Sequence, residues 1–250
     1  PSDSYTGGLI GRMDNTTAES LSFEGYVCGE YSTGGIVGGV QGDGLTTVIR
    51  NCRVKATIAG QSGIGGVVGS GGSATILDCS VQGAVSGSGN VGGVAGTNVK
   101  QLERCAVEAD VSATDGSVGG ITSSLSSKGS ITSCYVVGNL TADTSNRKAA
   151  GIVTAAKGGT IKNCYYMGTI TGAVTYACAD DTAVLDDTFY CLNNCGEENA
   201  NIAVMTQEQF ESGYVAAMLG RAYGQKLGAE KHPVLNDGTN QVFLVNGTPQ

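Results

Sequence analysis

Two short markers recur along the chain, and their interleaving limits the fold more than any other feature. One is a Gly-Gly pair followed by an apolar residue, at Gly7, Gly34, Gly65, Gly92 and Gly119, with a weaker copy at Ala150. The other is a cysteine followed by alternating residues: Cys52, Cys79, Cys105, Cys134 and Cys164, spaced 27, 26, 29 and 30 residues apart. A fixed period of this size is the mark of stacked structural repeats.

The segment after each cysteine has a period of two. Cys79, Val81, Gly83, Val85 and Gly87 share one face, as do Cys105, Val107, Ala109, Val111 and Ala113. The opposite face carries Arg53, Lys55 and Thr57, or Glu108, Asp110 and Ser112. That alternation describes a half-buried strand. An apolar residue also stands three positions before each cysteine, at Ile49, Ile76, Leu102, Ile131 and Ile161. The odd spacing requires a corner, and Asn51, Asp78 and Asn163 at that corner tolerate the left-handed conformation.

No repeat buries its inner face alone, but stacked coils put Val on Val and Cys on Cys about 4.8 Å apart. The chain is therefore read as all-β, a parallel β-solenoid (β-helix) of about six or seven coils of about 27–30 residues. The solenoid is expected to span residues 1–199, with Leu21 and Thr188 in the cysteine position of the outer coils. Two coils carry insertions, around 41–44 and 143–148. Residues 200–250 read as a small α+β cap. In it Thr206 to Gln209 opens a helix, Phe210, Tyr214, Val215 and Met218 share a face, and Gly220 ends it. Short β-like runs follow at 233–235 and 241–245.

Composition agrees with a narrow coil. Glycine accounts for 41 of the 250 residues, Trp is absent and Phe is 4, so the core must come from Val, Ile, Ala, Gly and Cys. A net charge of -8 argues against nucleic acid as a partner. No apolar run approaches the roughly 20 residues of a membrane helix, so membrane insertion is not expected. The N-terminal Pro-Ser-Asp-Ser-Tyr-Thr lacks a basic and apolar leader, so any secretion signal or wall anchor is expected outside this chain.

The pentapeptides Gly65-Gly66-Val67-Val68-Gly69 and Ile161-Lys162-Asn163-Cys164-Tyr165 resemble the GLUG repeat. The tail, through Met205-Thr206, Ser212-Gly213 and Pro233-Val234-Leu235, resembles the segment that closes such arrays. The resemblance implies an extracellular module of a bacterial cell-surface protein, adhesin-like or flanking an IgA-peptidase catalytic unit. Its implied partners are a host protein or glycan and the other domains of a larger wall-attached protein. The alternative is a passive stalk, and a more distant one is a carbohydrate-active β-helix enzyme.

Candidate chemistry is sparse. The five column cysteines read as small apolar fillers kept reduced. Cys28 faces outward and is the most reactive thiol by position. Cys191 and Cys195, off the column, are the disulfide candidates. No cofactor is expected, although Asp180, Asp181, Asp186 and Asp187 suit either a structural calcium site or a solvated loop. His232 is the only histidine, and no nucleophile motif accompanies it, so no catalytic residue is assigned. One asymmetry stands out on the outer face. Arg53, Lys55, Gln82 and Glu108 of the early coils give way to Tyr135, Val137, Tyr165 and Met167. That apolar patch is read as a ligand contact or as the seat of the C-terminal helix, through Phe210 and Tyr214.

Overall fold

In the computed structural model, which describes residues 4–41, 46–192, 201–236 and 238–250, the alternation after each cysteine becomes a strand. Arg53–Gly60, Ser80–Gly87 and Ala106–Ala113 pair parallel and in register. Val54, Val81, Val107, Val136 and Tyr166 form one inward column, and Ile58, Val85, Val111, Leu140 and Ile170 another. These strands belong to a ten-stranded sheet, called the long sheet below. The Gly-Gly markers lie in a seven-stranded sheet across the coil. A twelve-stranded sheet completes the wall, where Thr122–Thr132 runs through both of its sides. The fold is a parallel β-solenoid.

The glycine pair is dictated by close approach. A Cβ on Gly65 would lie 2.1 Å from the Val68 carbonyl oxygen. One on Gly66 would lie 2.2 Å from the Gly93 carbonyl and 2.6 Å from a methyl of Val81. The second glycine thus leaves room for the valine of the opposite sheet, so the coil stays thin and is packed without aromatic residues over most of its length.

The corner is left-handed before Leu21 and before each of the five column cysteines. Ser20, Asn51, Asp78, Arg104, Ser133 and Asn163 have φ between 51 and 56°. Asn and Asp adopt this region readily, whereas Arg104 and Ser133 are held there by the stack. The ladder runs unbroken through the corner: the Asn51 N–H donates to Leu77 (3.1 Å) and that of Asp78 to Glu103 (3.0 Å).

The cysteines do more than fill space. Each column thiol donates to the carbonyl two residues back, at 3.3 Å for Cys52, 3.2 Å for Cys79 and 3.3 Å for Cys134. The Cys105 N–H donates to the Cys134 sulfur (3.3 Å), and the Cys134 N–H to the Cys164 sulfur (3.4 Å). The side chain therefore satisfies backbone groups that turn inward at the corner.

The last coil departs from the repeat arithmetic. Tyr190 pairs with Tyr165, so Phe189, not Thr188, takes the cysteine position. Asp187 accepts the Thr188 N–H (2.8 Å), which lengthens the corner by one residue and leaves Thr188 half-buried. Cys191, expected off the column as a disulfide candidate, lies in the strand Phe189–Leu192, buried and in register with Tyr166. Its proposed partner Cys195 lies outside the described residues, as do positions 42–44 of the first insertion. The second insertion is a tight turn in which Asp143 accepts the Ser145 N–H (2.6 Å).

The long sheet also extends past residue 199. Ile202–Met205 pairs parallel with Phe189–Leu192, so the last rung comes from the segment assigned to the cap. Thr206 and Gln209 then form a reciprocal capping box at helix α1 (Gln207–Glu211). Ser212 and Gly213, at φ 88°, break the helix before α2 (Tyr214–Leu219), and Gly220 ends it at φ 68°. The break rotates the apolar face: Phe210, Val215 and Leu219 are buried, Tyr214 is half-buried and Met218 is exposed. Tyr223–Gly224 pairs antiparallel with Val234–Leu235, and Leu244–Val245 with Thr248–Pro249. No helix among the described residues is long and apolar enough to cross a membrane.

Candidate functional site

Register sets the outward rows of the long sheet. Ser22, Arg53, Ser80, Ala106, Tyr135, Tyr165 and Tyr190 stand in one row. Glu24, Lys55, Gln82, Glu108, Val137 and Met167 stand in the next. Tyr135, Val137, Tyr165 and Met167 are therefore brought together, as their spacing requires. Three of them, Tyr135, Tyr165 and Met167, are buried, and Val137 packs against the same cluster. What covers them is the C-terminal segment, through Phe210, Val215, Leu219 and Tyr223. A ligand reaching this patch would have to displace the cap.

The cap closes with directed contacts. The rings of Tyr135 and Tyr165 stack at 5.1 Å with 1° between planes, the geometry that in-register aromatic neighbours adopt. Tyr223 tilts against both, and its hydroxyl donates to the carbonyls of Cys134 (3.1 Å) and Asn163 (3.0 Å) at the left-handed corner. The Tyr165 hydroxyl meets His232 Nδ1 at 3.0 Å and donates to the Pro233 carbonyl. Gln225 ties the cap to itself through the carbonyls of Phe210 (2.8 Å) and Glu230 (3.1 Å). Burial pushes the Tyr135, Tyr165 and Tyr223 hydroxyls above their ordinary pKa, with the Glu108 charge adding to the rise at Tyr135. All three stay protonated donors at neutral pH.

Beside the cap the sheet opens into a shallow depression of about 320 Å³, lined by Gly83, Glu108, Asp110, Gly138 and His232 among others. Glu108 is fixed on its floor. One carboxylate oxygen accepts from the Tyr135 hydroxyl (2.8 Å), the other from Gln82 Nε2 (2.9 Å). Asp110 accepts the Asn139 N–H (2.8 Å). These carboxylates are positioned acceptors. His232 reaches this wall from a distant part of the chain, as Tyr223 reaches the tyrosine stack. Neither placement carries a periodic signal in the sequence, although His232 is conspicuous as the lone histidine.

Three of the four aspartates of the acidic loop have separate partners. Asp180 accepts from the Ala156 N–H (3.1 Å) and the Thr182 hydroxyl (2.8 Å). Asp186 pairs with Lys162 at 2.9 Å, and Asp187 caps Thr188. Among the described residues no group of three or more His, Cys, Asp or Glu gathers around one point. Asp181 lines a separate depression with Asp180, Ala183 and Ile202. Cys28 is exposed on the outward face of the first coil.

Residues 29–59 match the family model described as the GLUG motif. They run from the end of one long-sheet strand, through the Gly34-Gly35 marker and Cys52, to Ala59, which is one full coil. No curated protein matches the chain. Among solved structures, a protein described as a putative immunoglobulin A1 protease from Bacteroides ovatus is similar in fold, with a TM-score of 0.57 and 17% identity, covering 89% of this chain and 76% of that one. The matched segment is one coil whose markers recur along the stack, and the chain is a parallel β-solenoid with a GLUG motif at residues 29–59.

Proposed function

We propose that the chain is a non-catalytic extracellular module of a bacterial surface protein, and that it adheres to a host ligand through the open half of the long sheet. The observation that carries this reading is the division of that sheet's outward face. The cap takes up the aromatic half, and the polar half stays open, walled on one side by His232. The open rows present Lys55, Gln82 and Glu108, then Tyr26, Thr57 and Asp110, with Tyr26 64% exposed. A ladder of hydrogen-bonding groups with an exposed ring suits a hydroxyl-rich glycan. Fixed carboxylates on a chain of net charge -8 favour a neutral sugar over an acidic one. The protease description of the Bacteroides protein carries no activity to this chain at 17% identity. Here the imidazole faces a tyrosine hydroxyl and a carbonyl, with no serine or cysteine nucleophile on it among the described residues.

A passive stalk is the second reading, favoured by the in-register columns, which make the stack a uniform rod. A binding screen of the chain against neutral and acidic glycans, mucin and matrix proteins separates the two. Saturable binding to neutral glycans, weakened at least tenfold by Gln82→Ala and Asp110→Ala in folded protein, supports adhesion on this face. Binding indifferent to both changes moves the contact elsewhere. Silence across the panel favours the stalk.

A further inference from the structure

The corner that joins the two sides of the twelve-stranded sheet belongs to a different wall from the open face. Residues 71–74, 98–100, 126–129 and 156–159 form it in four successive coils, and none of them is acidic or aromatic. Its length varies from coil to coil. Register sets Val68, Ala95, Thr122 and Val153 at one level before the corner, and Thr75, Gln101, Ser130 and Thr160 at one level after it. Five residues separate Ala95 from Gln101, whereas seven separate Thr122 from Ser130. The tightest corner, at Asn98, is thus followed by the longest. The long corner leans over the short one: the Ser126 hydroxyl meets that of Ser73, two coils back, at 3.0 Å.

Three lysines stand on this ridge, one per coil: Lys100, Lys128 and Lys157. Their charges do not spread apart. Lys100 Nζ reaches forward to the carbonyls of Ser127 (3.1 Å) and Lys128 (3.3 Å). Lys157 Nζ reaches back two coils to Asn98 Oδ1 (3.4 Å). Both ammonium groups are drawn into the step between the short and long corners, where Lys128 is exposed. None of the three joins an ion pair among the described residues. Glu103, on the flank, is turned to Gln101 (3.3 Å), and Asp180, one coil past Lys157, holds the Ala156 N–H and the Thr182 hydroxyl. Lys128 and Lys157 moreover sit at φ 53°, which glycine or asparagine would hold at lower cost. Like-charge repulsion and an unfavourable backbone state are both kept here, and an anion from outside would relieve the first.

We propose that Lys100, Lys128 and Lys157 bind a linear polysaccharide bearing repeated sulfate or carboxylate groups, laid along the stack. Spacing favours a polymer over a single anion. The corners repeat at about the 4.8 Å separation of paired strands. A sugar ring with its linkage is of similar length, so successive sugars of one chain meet successive coils. Ammonium groups act as point charges, so the ridge reads the spacing of the anions more than the shape of each. Nucleic acid fits less well, because no aromatic side chain stands on these corners to stack a base. Asp180 and Asp181 repel a polyanion that runs past Lys157, which sets one end of the contact. This contact is independent of the one proposed for the long sheet.

The test uses the full chain at low salt, with heparin as the sulfated probe and polygalacturonate as the carboxylated one. Dextran and single-stranded polythymidylate serve as controls. At least one of the two acidic glycans is expected to bind saturably, and more weakly as salt rises; dextran is not. Lys128→Gln and Lys157→Gln should each weaken that binding about fivefold, the size of one lysine facing an anionic surface. The triple change that adds Lys100→Gln should abolish it, with circular dichroism showing the fold retained. Lys226→Gln, exposed on the cap, should leave it unchanged. Failure of the folded chain to bind either acidic glycan would overturn the proposal. So would binding that survives the triple change, binding lost through Gln82→Ala or Asp110→Ala on the open face, or polythymidylate bound as tightly as the glycans.

Discussion

The outward face of the long sheet divides into two halves built on one register. In the first, Arg53, Lys55, Gln82 and Thr57 face solvent; in the second, Tyr135, Tyr165 and Met167 face Phe210, Val215 and Tyr223. The inward columns hardly differ between the halves, since Val54 and Val136 stack in one line. The solenoid thus depends on what points inward, and the outward rows are free to decide what the molecule touches. Where they are aromatic, they hold the chain's own tail.

The largest expected effect comes from ionising the aromatic half. An unfolded tyrosine titrates near about 10. Burial raises Tyr135, Tyr165 and Tyr223 above that, so the folded state holds their protons longer. Their contribution is intact below about pH 10 and is lost as pH climbs beyond it. Alkaline titration should release the cap while the stack persists: tyrosinate absorbance should rise together with protease cleavage near α2, before far-ultraviolet strand signal is lost. Cleavage that waits for loss of the strand signal would show the two halves to be one cooperative unit.

Next comes Tyr165→Ala, which empties the centre of the cluster and should cost about 3–5 kcal/mol in chemical denaturation. Its counterpart in the open half, Thr57→Ala, should stay within about 0.5 kcal/mol. Similar values for the two would mean that the cap adds no stability to the sheet beneath it. The third effect reaches inside the stack. Cys134→Ala removes the acceptor of the Cys105 N–H and a donor to Thr132, at about 1–3 kcal/mol. Cys134→Ser should recover most of that loss, whereas a pure space-filling role would make alanine the milder change.

The inward half of this design was legible because every coil repeats it. Cys, Val and Ile recur at fixed offsets, and Asn51, Asp78 and Asn163 announce the left-handed corner. Arg104 and Ser133 adopt the same corner without any chemical preference for it, since their stacked neighbours leave no alternative. The slip from Thr188 to Phe189 arose because a lengthened corner outweighs repeat arithmetic in the last coil. In the tail, the capping box at Thr206 was readable as a local pattern. The break at Gly213 was not, and it turned Tyr214 and Met218 away from the docking face and brought in Leu219 beside Phe210 and Val215. The meeting of Tyr223 and His232 with the tyrosine stack joins segments with no shared period. The patch itself could be seen in the sequence, but not what lies on it.

The smallest effect belongs to the seam between the two halves. Arg104 sits at the left-handed corner of the fourth described cysteine-type position, pairs with Asp78 at 2.6 Å and donates to the Asn236 carbonyl of the cap at 3.2 Å. Arg104→Asn sets two terms against each other. Asparagine tolerates the corner better, while the tie to the cap and the partly exposed ion pair are lost, at no more than about 1 kcal/mol. The net change in global stability should fall within about 0.5 kcal/mol. The seam itself should still respond: without the Asn236 contact, the 233–236 segment should be cleaved faster by protease, and that gain should shrink when the wild type is compared in high salt, where its Arg104–Asp78 pair is screened. A variant less stable by several kcal/mol would instead place Arg104 among the residues that hold the corner. The aromatic and polar halves would then share a structural element rather than meet at a boundary.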